Sequence, residues 1–246
     1  MQRGLLSIVV LVVLVAASCR VEAGCVDPAT FGHSTVGIIR YFDDEERKAQ
    51  DGSFGVRGTG WFLSPTLIAT VEHVAAGMNL SDQRWKPIEI QAGEARQSVP
   101  VRVQRIVGSS AEKIAVLELQ TALAGAQGLE LRMEPLLSDE PLASIAYPGD
   151  RQRIVGGRFV QYGEGDKFAG TALLEMYDGK DRLALDHGAS GAPVFDCGGR
   201  VVAVVSNLFT KTMQFMSQSM RVSTAWGSPN VASVPIQVLA SPSHDE

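Results

Sequence analysis

The segment Asp186-His187-Gly188-Ala189-Ser190-Gly191-Ala192-Pro193-Val194-Phe195 sets a serine between glycines on a tight turn, and the apolar, β-rich run Arg200–Asn207 follows. A serine in that setting presents its hydroxyl with backbone N–H groups beside it. Acyl transfer needs this pair: a hydroxyl nucleophile and N–H donors aimed at a developing oxyanion. The same pattern also closes ordinary turns. With Ala192 where a last glycine would stand, it is not the Gly-Xaa-Ser-Xaa-Gly strand-to-helix elbow. A nucleophilic serine also needs a base. His73 lies in Thr70-Val71-Glu72-His73-Val74-Ala75, at the end of an apolar strand where the chain turns helical. A lone histidine there is compatible with a structural role; together with Ser190 it is a candidate general base.

Both residues need strands to hold them. The pattern predicts strands over Val36–Tyr41, Phe54–Leu63, Thr66–Val71, Pro87–Ala92, Val99–Val107 and Ile114–Leu119. Thr121–Leu131 is rich in Ala, Gly and Leu, has no strand pattern and reads as a link between halves. The second half repeats the style over Leu142–Tyr147, Arg153–Tyr162, Thr171–Tyr177, Ala192–Phe195, Arg200–Asn207 and Val231–Val238. Asp43–Gly52 mixes charges of both signs and reads as a solvated loop. Gly58-Thr59-Gly60 sits inside a strand, where glycines usually mark a bend or bulge. Many short strands with Gly-rich turns predict an all-β sandwich or barrel fold, with one barrel on each side of the link.

At 246 residues and 45% hydrophobic content the chain can bury a large core. A net charge of −5 leaves no basic field for nucleic acid. Arg3, the apolar run Leu5–Ala17 and Val21-Glu22-Ala23 have the layout of a secretory signal over residues 1–23. Two other readings stay open: Ala16-Ala17-Ser18-Cys19 is a loose lipoprotein box with Cys19 as the lipid-bearing residue, or the segment is a retained anchor. The expected division is then a first barrel over 24–122 and a second over 123–246. Processing removes Cys19 from the three cysteines and leaves Cys25 and Cys197, a natural single disulfide in an oxidising compartment. The four histidines, His33, His73, His187 and His244, form no zinc spacing, so neither a metal nor another cofactor is expected.

Gly60-Trp61-Phe62-Leu63, the strand Thr66–Val71 leading to His73-Val74, the block Ile114-Ala115-Val116-Leu117 and the Ser190 segment occur in that order. So does the run Gly199–Ser206 after the nucleophile. The set resembles the chymotrypsin-like (trypsin-like) serine peptidases, especially bacterial secreted members, over most of residues 36–238. The resemblance implies two six-stranded antiparallel barrels with a site in the cleft between them. It implies Ser190 as nucleophile, His73 as general base and the N–H groups of Gly188 and Ser190 as oxyanion hole. The expected partner is a polypeptide substrate or protein ligand, with no membrane span after processing.

One position departs from the pattern. Where the family carries an aspartate before the Ile-Ala-Val-Leu block, this chain has Lys113. An ammonium only donates, so it cannot accept the second imidazole N–H, and it opposes an imidazolium. Glu112 is one residue earlier, which within a strand is the opposite face; it serves only if it precedes the strand and the loop bends. The open alternatives are Glu112 as orienting acid, an unassisted Ser–His dyad or an acid from another loop, and a protein of this fold that binds without cleaving. At the family's pocket position stands Ala184, which implies no preference for Lys or Arg. His187 is either a solvated turn residue or a substrate contact. The tail Ser241–Glu246 leaves at most a very short terminal helix.

Overall fold

The computed structural model describes residues 25–108, 113–149, 151–164, 168–177, 185–208, 210–215, 218–223 and 229–240. Two closed antiparallel barrels account for most of them. The first is built from β1 (Thr35–Tyr41), β2 (Gly55–Ser64), β3 (Leu67–Val71), β4 (Lys86–Ala92), β5 (Ala95–Val107) and β6 (Ile114–Leu119). Its strands follow the order β1-β2-β3-β6-β5-β4, and β1 pairs back onto β4. The second contains β7 (Pro141–Ala146), β8 (Arg153–Tyr162), β9 (Ala172–Tyr177), β10 (Pro193–Phe195), β11 (Val201–Leu208) and β14 (Val231–Pro235), ordered β10-β11-β14-β9-β8-β7. Between β11 and β14, β12 (Thr210–Phe215) and β13 (Gln218–Ser223) form a separate two-stranded ribbon. The all-β, two-barrel expectation therefore holds, and closure leaves neither barrel with a bare edge.

β-Branched and aliphatic side chains drive both interiors. Val36, Ile38, Ile68, Ile88, Val101 and Leu117 fill the first; Leu142, Val155, Leu174, Val194 and Val202 belong to the second. The first cluster continues through Ile145, Phe195, Val204 and Val234. The seam between barrels is thus apolar, and β6, buried from Ile114 to Leu117, reads as a nearly continuous hydrophobic run.

Three expectations change. Asp43–Gly52 is not all loop: α1 (Asp44–Ala49) forms there. Asp43 and Glu46 make a reciprocal capping box, and Glu46 also pairs with Arg40 at 2.7 Å. The charges that suggested solvation are the helix's cap and anchor. The Gly58-Thr59-Gly60 stretch carries no bulge, since β1–β2 pairing runs unbroken from Trp61 to Gly55; the irregularity lies between Phe62 and Ser64 on the β3 side. The last strand stops at Pro235, and a 3-10 turn occupies Ile236–Ala240. The tail from Ser241 lies outside the described residues.

The leading segment is tied to the second barrel. Cys25 is bonded to Cys197, and Val26 N donates to Cys197 O at 3.0 Å. Pro28–Phe31 form a 3-10 turn, whose Phe31 stacks on Phe195 at 5.1 Å. Asp196 organises the β10–β11 turn. Its Oδ1 accepts from Gly198 N and Arg200 N, both at 2.9 Å, and its Oδ2 accepts from Arg200 Nη2 at 2.8 Å and Arg132 Nη1 at 3.3 Å.

Burial pushes the Asp196 carboxyl up, but the Arg200 backbone and side chain and the Arg132 guanidinium outweigh it and hold the pKa below the ordinary carboxylate range. A depressed folded pKa adds stability that is complete above the unfolded value of about 3.9 and is lost as pH falls through the lower folded value. Asp196→Asn is expected to lower unfolding free energy at pH 7 by about 1–3 kcal/mol, since it removes a buried carboxylate that accepts charge-assisted bonds from Arg200 and Arg132. The difference from wild type should shrink in urea titrations taken below pH 4. An unchanged difference at low pH would refute the electrostatic account.

Candidate active site

The Ser190 turn comes from the second barrel, just before β10. Gly188 and Gly191 take φ of +97° and +92°, conformations that favour glycine. Alternate peptide units of the turn are pinned at both ends. Gly188 O accepts from Thr59 Oγ1 at 2.7 Å, while Ala189 N donates to Asp186 O at 2.8 Å. Ser190 O accepts from Thr59 N at 2.8 Å, while Gly191 N donates to Val205 O at 2.8 Å. Within this turn, Gly188 N and Ser190 N have no acceptor among the described residues. These are the two donors that the family resemblance implies for an oxyanion hole.

Ser190 is half-buried, and its Oγ donates to Ser206 O at 3.1 Å. His73 is the second residue of α2 (Glu72–Gly77), which begins where β3 ends. Val74 and Ala75 bury the inner face of that helix and leave His73 exposed. Both parts meet at Gly58 on β2. A Cβ built there would lie 2.5 Å from Val74 Cγ1 and 3.3 Å from Ser190 O. The residue after the histidine and the backbone of the serine thus crowd the one position where a Cβ would stand. That close approach, rather than a bend, is why the strand has no side chain at this point.

Lys113 stands immediately before β6. Val71 pairs with Ile114, and Glu72 N donates to Lys113 O at 2.9 Å. The lysine backbone is therefore held beside the residue preceding His73. Glu112 and Ala184 lie outside the described residues. His187 is exposed, and its N–H donates to Asp186 Oδ1 at 2.7 Å, a turn-forming contact.

The family profile described as "Trypsin-like peptidase domain" matches residues 58–204. The chain belongs to that family. The matched stretch of this trypsin-like peptidase domain runs from Gly58, beside the His73 helix, through the Ser190 turn and into β11. Its two barrels are similar to those of solved proteases at low sequence identity. The active form of the Rv3671c protease from M. tuberculosis is 18% identical, with a TM-score of 0.55, over 87% of this chain and 81% of that one. Deg5 is 16% identical at a TM-score of 0.56, over 87% and 88%. The HtrA-type protease AlgW with a tripeptide is 16% identical at 0.56, over 85% of this chain and 58% of that one. At these identities the likeness is one of fold. Comparison with curated protein sequences finds no match.

Sequence reasoning missed Thr59, Thr70, Tyr147 and Ser206 as neighbours of the turn. Only Thr59 left a signal: a polar residue between glycines in an apolar strand.

Proposed function

We propose that this trypsin-like peptidase domain is a serine endopeptidase acting outside the cytoplasm. Ser190 Oγ adds to the scissile carbonyl, and His73 takes the hydroxyl proton. The N–H groups of Gly188 and Ser190 hold the oxyanion. His73 then returns the proton to the leaving amine, and water hydrolyses the acyl-enzyme by the same steps in reverse. The observation that carries this reading is the Ser190 turn. Its flanking N–H groups are committed internally, and the Gly188 and Ser190 N–H groups lack acceptors among the described residues. The substrate class is polypeptide. Residues 1–23 are proposed to direct export, with a lipid anchor at Cys19 as the alternative; the mass of the mature N-terminus separates the two.

Lys113 favours a second reading, in which the same fold binds polypeptide and cleaves it poorly or not at all. The bond from Ser190 Oγ to Ser206 O points the same way, since the hydroxyl proton is directed at a carbonyl. A fluorophosphonate probe decides between the readings: the peptidase labels at Ser190 and Ser190→Ala does not, whereas an unlabelled wild type supports the binding module.

The acid makes a second prediction. Lys113→Asp should raise ester or peptide hydrolysis roughly tenfold or more, because a carboxylate there orients His73 and stabilises its charged form. Glu112→Gln should lower hydrolysis only if Glu112 is the substitute acid. Ser190→Ala sets the background. Hydrolysis well above background that Lys113→Asp leaves unchanged would mean that the acid comes from another loop.

A further inference from the structure

We infer that Thr59, a first-barrel residue outside the proposed Ser–His pair, is the positioning residue that holds the oxyanion turn of the second barrel in its competent shape. The inference rests on the reading of Gly188 and Ser190 as oxyanion donors. Thr59 is fully buried on β2, yet all its polar groups are engaged, and most of them across the seam. Tyr147 N, just past the end of β7, donates to Thr59 Oγ1 at 3.0 Å. A threonine hydroxyl has a single proton, and this one goes to Gly188 O at 2.7 Å. Thr59 N donates to Ser190 O at 2.8 Å, and Thr59 O accepts from Thr70 Oγ1 at 2.8 Å.

One residue therefore grips both carbonyls that bracket the turn. A peptide plane sets its C=O and N–H in opposite directions. Holding Gly188 O and Ser190 O toward the first barrel directs Ala189 N and Gly191 N inward, to Asp186 O and Val205 O. The turn cannot rotate these two units without losing a bond at each end. Gly188 N and Ser190 N alternate with the pinned units and have no acceptor among the described residues. Such donors are useful to an oxyanion only if fixed beforehand. Tyr147 closes the arrangement: its carbonyl would lie 2.7 Å from a Cβ at Gly188, so the turn is also backed sterically. Without the Thr59 hydroxyl, Gly188 O and Tyr147 N lose their partner in a buried place. The turn then relieves the loss by rotating the 188–189 peptide, which frees the neighbouring 187–188 and 189–190 units, and the Gly188 and Ser190 N–H groups lose their fixed aim.

The test uses the full chain with Thr59→Val, which keeps the branched shape and removes the hydroxyl, and Thr59→Ser, which keeps the hydroxyl. Thr59→Val should lower kcat on an activated ester by about 10- to 10³-fold, the scale of a lost oxyanion donor. KM should stay within about twofold, because the ground state does not use the hole. Thr59→Ser should restore most of kcat. Amide hydrogen exchange should speed up about tenfold or more at Ala189 and Gly191 in Thr59→Val, with β-strand amides unchanged. If Thr59→Val does not fold, Thr59→Ala is compared with Thr59→Ser. Unchanged exchange at Ala189 and Gly191 overturns the inference, and so does a Thr59→Val enzyme with wild-type kcat. If wild type neither hydrolyses ester nor reacts with fluorophosphonate, the peptidase reading fails instead. Exchange then decides alone whether Thr59 holds the turn.

Discussion

Gly191→Ala is expected to cut the rate of Ser190 labelling by fluorophosphonate at least 10²-fold and to lower stability by about 2–5 kcal/mol. Two independent costs combine. The φ of +92° at Gly191 is unfavourable for any residue with a Cβ, at about 1–2 kcal/mol. A methyl group there would also stand 2.0 Å from Thr59 O and 2.2 Å from Thr70 Oγ1, both in residues with no exposed surface. Overpacking of this kind typically costs about 1–3 kcal/mol more. The clash breaks the hydrogen bond between Thr70 and Thr59 or moves the turn, and a displacement of about 1 Å at a reacting group costs about 10²-fold in rate. Gly52→Ala is the control. Its φ is +81° with nothing within 4 Å of the added Cβ, so it carries the backbone cost alone and should leave labelling unchanged. Thermal unfolding and labelling kinetics on both variants check the prediction. Wild-type labelling by Gly191→Ala would mean that the turn tolerates movement, and the preorganised oxyanion hole would be wrong.

The double variant Cys25→Ser/Cys197→Ser is expected to lose about 5 kcal/mol of unfolding free energy, read as a lower urea midpoint. The bridge spans 172 residues, and closing a loop of that length in the unfolded chain carries about this entropy. Changing both cysteines avoids a free thiol that would exchange. Phe31→Ala separates the bond from the packing it supports. It removes the stack on Phe195 and opens the space that Gly199 leaves for the ring, whose Cζ lies 2.3 Å from a Cβ built there, but keeps the covalent loop. It should cost less than the double variant. A double variant with the wild-type midpoint, in protein prepared without reductant, would show that the bridge adds nothing to stability.

Most strands were legible because their cause is local. Alternating or continuous β-branched runs bounded by Gly, Pro and Asn can be read within a few residues, and β1, β3, β6, β8 and β14 begin within a residue of where those patterns place them. The disulfide was equally legible, from the cysteine count and the export expected of residues 1–23. α1 was not, because the run Asp43–Gly52 looks like solvated charge until Asp43 and Glu46 are seen capping one turn and Arg40 is seen holding Glu46. The ribbon of β12 and β13 escaped because Thr210–Phe215 and Gln218–Ser223 carry no long apolar run, only a pairing register.

The sequence by itself determined the candidate nucleophile, the candidate base, their order along the chain and the conflict at Lys113. The nucleophile and base are matters of residue type and short-range spacing, and the conflict at Lys113 comes from the family resemblance. Only the tertiary structure decided what holds the serine. Thr59 and Gly188 are 129 residues apart, and nothing near either one announces the other. Gly58 and Gly191 look like turn or bend residues in one dimension; in three, Gly191 is the space into which the first barrel fits, and Gly58 the space that Val74 and the Ser190 carbonyl share. Hydrogen bonds and close approaches across a seam depend on how two closed sheets are set together. That packing is a sum over many apolar contacts, and no local pattern encodes it.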